Sequence, residues 1–264
     1  MKSLLSHRSM KLLIPACGVL GLLLRQLLMT TGLDDRGLLT PHHPAWIALL
    51  VLSAAVAAAI MLGIRFIRGS SAYRISFPAS TLTALGYVLG AVGAFISWRN
   101  VEGFGVLPTV AMVLVIAAFL LAALCRKTGR KPNFLLHVVI CVHFALQSLT
   151  LYRNWSFDPQ LQDYCFQLFA CIALTMTAYR LAMFDTGRGS HRRLWLWGLA
   201  AVYLCCVSMG SGLFYITGAI WALAALSHPR RRRRHQPEPI SEPETPSDPA
   251  LVSEPEPLPA AEQE

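Results

Sequence analysis

Four polar side chains inside one apolar segment raise the first chemical possibility. His143, Gln147, Thr150 and Asn154 recur at i, i+4, i+7 and i+11 along a run that starts at Phe134. On a helix that spacing places them on one face. Polar groups set in hydrocarbon are expensive and turn toward a bundle interior or a watery cavity. The stripe therefore reads either as interhelical hydrogen bonding or as the wall of a substrate or ion path opening outward near Asn154. Arg25 lies close to the outer end of an earlier apolar run, with Asp34 and Asp35 in the loop beyond it. The path reading puts these three near its mouth. The plainer reading has Arg25, like Arg180, snorkel to the headgroups, or has Arg25 tied to its loop by an ion pair.

Other combinations lead to less chemistry. His42 and His43 share the first loop with the two aspartates, but Asp-Asp followed by His-His at this spacing fits no metal site with a definable geometry. His137 and His143 are six residues apart, about 120° around a helix, so they cannot both ligate one haem iron. No H-E-x-x-H, Gly-x-Ser-x-Gly or glycine-rich phosphate loop occurs. Seven cysteines, an odd number, lie mostly inside apolar runs without a C-x-x-C, where cysteine acts as a small hydrophobe. The residues thus nominate no catalytic group, no metal and no cofactor. Gly86, Gly90, Gly93 and Ser97 form a small-residue face whose spacing lets two helix backbones approach closely; packing within the chain is the expected use, and a dimer face the alternative.

The elements that must position these groups follow from composition. Of 264 residues, 55% are hydrophobic and only 14% are charged, with a mean hydropathy of +0.50, well short of the roughly 25% charge of a soluble domain. The charges are also bunched: all 23 bases precede residue 236, and eight of the 14 acids follow residue 237. Apolar runs close to the ~20 residues needed to cross a bilayer cover residues 12–29, 45–67, 77–98, 106–124, 134–152 and 165–184. The first run continues past Cys17 with too little apolar core before it for a cleavage signal, so it is expected to remain as a span. A seventh run, residues 194–227, carries no charge over 34 residues. One helix of that length would measure about 51 Å, so the run is predicted to fold back at Ser208-Met209-Gly210-Ser211-Gly212.

The expectation is an all-α integral membrane protein, an eight-span helical bundle over residues 1–228 with both termini in the cytoplasm. Charge supports this count. The segments assigned inside hold 18 bases and the outer loops hold three, Arg36, Arg99 and Arg153, as the positive-inside rule requires. Residues 229–264, with nine prolines and eight acids, are predicted to be a disordered cytoplasmic tail. The run Arg230, Arg231, Arg232, Arg233 and Arg234 before it serves as an orientation signal and as a possible site for anionic lipid. A basic surface for nucleic acid would form one continuous face with aromatics between; here the bases punctuate span ends, which excludes that class. By default the sequence points to a non-enzymatic component of a cell membrane, of bacterial plasma-membrane type, that engages lipid or a cytoplasmic protein through its tail. The alternative is a small-molecule transporter or binder with an outward-opening path along the fifth span, and an intramembrane enzyme stands third.

Overall fold

The computed structural model describes residues 7–32, 40, 43–66, 77–99, 106–128, 132–155, 161–186 and 188–227. Among them are eight α-helices and no strand: α1 (His7–Thr31), α2 (Pro44–Phe66), α3 (Phe77–Arg99), α4 (Val106–Lys127), α5 (Phe134–Trp155), α6 (Leu161–Asp185), α7 (His191–Val207) and α8 (Leu213–Leu226). The uncharged 34-residue run breaks where predicted. α7 ends at Val207, a 3-10 turn covers Met209–Ser211, and Gly212 takes φ 152°, ψ 161°. That backbone region is open in practice only to glycine.

α1 to α6 are each long and apolar enough to cross a membrane. Their outward faces carry Leu23, Val51, Leu82, Val113, Leu135 and Leu149, each more than half exposed. In water so much open hydrocarbon would drive aggregation; in a bilayer it meets lipid tails. α7 and α8, with 17 and 14 residues, are shorter and mostly buried among the others.

Close approaches fix the helix directions. Gly86 of α3 abuts Ala224 of α8, and Gly93 abuts Thr217, so residue numbers rise on one helix as they fall on the other. Gly198 against Leu226 and Gly218 against Cys205 make α7 and α8 an antiparallel hairpin. Gly18 against Cys206 and Gly21 against Val207 set α1 parallel to α7. Odd helices thus run one way and even helices the other. The small face predicted on α3 is used for this packing: Gly86, Gly90 and Gly93 meet α8, with Gly90 also against Phe119 of α4.

The packing order is circular. α3 lies on α4, α4 on α5, α5 on α6, α6 on α7, α7 on α8, and α8 returns to α3, while α1 and α2 pack against α7. Aromatic rings of α3, α4, α5 and α8 pack against one another within this ring. Tyr87 meets Trp221 at 6.1 Å between centroids, Trp221 meets Phe144 at 5.2 Å, and Phe144 meets Phe214 at 6.1 Å. Phe119 touches both Trp221 and Phe144.

Candidate functional site

Polar groups collect at the two ends of this aromatic column. Because the helices alternate, one end gathers the starts of α3, α5 and α7 and the ends of α4, α6 and α8. Arg126, Lys127, Arg192 and Arg193 lie there, and we call it the basic end.

At the opposite end, α5 presents its polar stripe to α3. His143 is 1% exposed. Its Nδ1 accepts a hydrogen bond from Trp98 Nε1 at 3.2 Å, and the two rings stack at 6.3 Å. The proton of the neutral imidazole must then sit on Nε2. That nitrogen is buried and has no hydrogen-bond partner; the rings around it are those of Phe144 and Phe214. One turn further, Gln147 Nε2 donates to Ser97 Oγ at 3.2 Å. Thr150 bonds back to its own helix at Leu146 O, as lone hydroxyls in apolar helices do. Asn154 is exposed at the tip. The four stripe residues therefore divide: two join α5 to α3, and two do not.

Arg25 is 4% exposed rather than extended to a headgroup layer, and its Nη1 donates to Val207 O at 3.3 Å. Val207 closes α7, so its carbonyl lies among the four that a helix end leaves without intrahelical partners, and a cation suits the negative pole there. Beside it Gln167 Nε2 donates to Ser211 Oγ at 2.7 Å and Tyr215 OH donates to Gln167 Oε1 at 3.4 Å. Asp34 and Asp35, like Arg230 to Arg234, lie outside the described residues.

The α7–α8 turn is recessed. Gln167 reaches Ser211, yet α6 continues six residues beyond it to Leu161, about 9 Å at 1.5 Å per residue. Gly210 abuts Gln26, and α1 runs on to Thr31, about 7.5 Å further. Non-helical backbone at such depth is tolerated where protein encloses it or water reaches it. Gly210 and Ser211 are exposed, so the turn floors a depression walled by α1 and α6.

Among the described residues, the basic end holds a buried charged centre. Arg126 Nη2 donates to Asp185 Oδ2 at 2.9 Å, and the side chains are 4% and 3% exposed. His137 Nε2 stands 3.5 Å from the same Oδ2 and is fully buried. The Arg126 guanidinium also lies 5.9 Å from the Tyr87 ring centre. The geometry follows from helix chirality: Cα–Cβ bonds tilt toward the helix N-terminus, so a base in the last turn of α4 is aimed back into the bundle. Reading from sequence missed this group. Arg126 counted there as an orientation charge and His137 only as an iron ligand. The available signal was Asp185, the one carboxylate before residue 237 that the span assignment from sequence puts on the side of the 18 bases.

No group of three or more His, Cys, Asp or Glu that could hold a metal ion occurs among the described residues. Fold and surface together define an all-helical, multi-pass, membrane-embedded protein. No family model, no curated protein and no solved structure matches the chain.

Proposed function

We propose that the protein is a non-enzymatic membrane binder or transporter of a small molecule bearing hydrogen-bond acceptors. Its route would follow the axis of the α3–α8 ring, entered from the end where α5 carries its stripe. The observation that carries this reading is His143. An N–H donor shut away from water without an acceptor costs about 1–3 kcal/mol. A protein that keeps one at the head of an aromatic column, one turn from Gln147, is equipped to offer it to an acceptor arriving along that column. Ionisable groups inside a membrane bundle mark substrate or ion pathways more often than they serve packing alone.

The same proposal includes eight spans with both termini in the cytoplasm. Its support is the antiparallel α7–α8 hairpin, the alternation of helix directions, and the 18-to-3 division of bases that this topology yields. The basic end is then cytoplasmic and the recess faces outward. Short α7 and α8 are compatible with spanning because other helices, rather than lipid, surround most of them.

Single cysteines at His143 and Gln147, in a cysteine-free background, should react with a small water-soluble thiol reagent added from outside. Cysteines at the lipid-facing Val142 and Leu149 should not. Protection of both stripe positions would mean that they only pack α5 on α3. The second reading would then lead, in which the five arginines and the acidic segment after them engage anionic lipid or a cytoplasmic protein.

A further inference from the structure

We infer that Arg126, Asp185 and His137 form a proton-binding centre that holds the basic end of the ring shut and releases it on taking up one proton. The inference rests on the axis of the α3–α8 ring being a solute route, and it makes that route proton-linked.

The three residues come from three successive helices. Arg126 is next to last in α4, His137 is the fourth residue of α5, and Asp185 closes α6. All lie within about one turn of a helix end, so water from the basic end has a short way to travel when the ends part. Asp185 is the shared member: one oxygen, Oδ2, faces both the guanidinium at 2.9 Å and the imidazole at 3.5 Å. With His137 neutral, the Arg126–Asp185 pair ties α4 to α6. Protonation transfers H⁺ from water at the basic end to the imidazole, and nothing is oxidised or reduced. The imidazolium then shares the Asp185 oxygen with Arg126, placing a second cation at that carboxylate. Two cations facing one carboxylate oxygen repel each other, so the tie loosens and the ends of α4 and α6 separate. Histidine is the side chain that changes charge most readily near neutral pH.

The neighbouring helices bring other charged and titratable groups to this end. From α3 the centre meets Tyr87. From α4, Lys127 is exposed and points to solvent. From α7, His191 accepts from Trp195 Nε1 and packs on Phe184, one residue before Asp185. α8 contributes the Trp221 ring through Tyr87. Arg192 and Arg193, exposed at the start of α7, add two positive charges to this end, and His191 is the histidine that an experiment must separate from His137.

The test uses the full-length protein in lipid nanodiscs with nitrogen-15 histidine, the His137 signal being assigned by its loss in His137→Gln. Spin labels at Thr128 and Thr186, both exposed beyond the ends of α4 and α6, report the gap. Between roughly pH 8 and pH 5, a window spanning the ordinary histidine range, His137 should convert from neutral to doubly protonated and the gap should widen in step. His191→Gln should leave both changes in place. A neutral double variant, Arg126→Gln with Asp185→Asn, avoids an orphaned buried charge; its gap should not respond to pH. A His137 that stays neutral, or a gap that ignores its protonation, would falsify the inference and leave a purely structural ion pair. Titration and opening with no solute crossing proteoliposomes would uphold the proton centre and sink the transport reading instead.

Discussion

Buried polar groups should respond oppositely to substitution according to whether the fold pairs them. Asp185→Asn leaves the Arg126 guanidinium buried without its carboxylate, and Arg126→Gln strands Asp185. Each should lower stability by roughly 3–5 kcal/mol, the usual result of breaking one half of a buried pair. The double neutral variant should recover most of that loss, because pairs replaced together are often neutral. Thermal unfolding in detergent measures all three; additive losses would mean the two groups do not depend on each other. His143→Phe should by contrast leave the midpoint unchanged or raise it, since it removes a donor that the fold leaves unpaired. A marked fall would show that the Trp98 hydrogen bond outweighs the orphaned nitrogen. His137, also on α5, belongs with the first group because its partner is Asp185.

At the scale of elements, the α3–α8 contact rests on the absence of side chains. A Cβ at Gly86 would collide with that of Ala224, and neither can rotate away. Gly86→Ala should therefore cost roughly 1–3 kcal/mol, as overpacking does, and Ala224→Gly in the same chain should restore the space. Lack of rescue would mean the two helices are not in register as described. The α7–α8 turn relies on backbone freedom instead. Nothing lies within 4 Å of a Cβ at Gly212, yet its φ of 152° strains any L side chain. Gly212→Ala should cost about 1–3 kcal/mol for the backbone alone, read as a lower unfolding midpoint. The glycine spacing and the Ser-Gly break were legible in the sequence. The choice of partner helix was not, because a small face fits any close neighbour.

At the scale of the whole molecule, topology is the property to measure. In intact cells, a cysteine placed at Asp158 should react with an impermeant thiol reagent, and one at Ser241 should not. Labelling at Ser241 would overturn the eight-span arrangement. Deleting residues 237–264 should leave membrane insertion and the thermal midpoint of the remaining domain nearly unchanged, on the expectation that this acidic segment buries no apolar surface. A large loss would instead mean that it docks on the helices.

The sequence by itself determined the solvent, the helices and their breaks. Apolar runs of about 20 residues demand internally bonded backbone in hydrocarbon, and that constraint is local, so it can be read along the chain. It also carried the polar stripe of α5 and the glycine face of α3, because both are periodicities within one helix. Which groups meet was decided only in three dimensions. Arg126, His137 and Asp185 are separated by 11 and 48 positions, sit near three helix ends, and share no spacing; only the circular packing of α3 to α8 brings them to one carboxylate oxygen. Arg25 likewise finds Val207 across 182 positions. Side-chain direction was the missing quantity. A base in the last turn of a span looks like an orientation signal in one dimension, and becomes a buried charge once the helix aims it inward and a neighbouring helix supplies its partner.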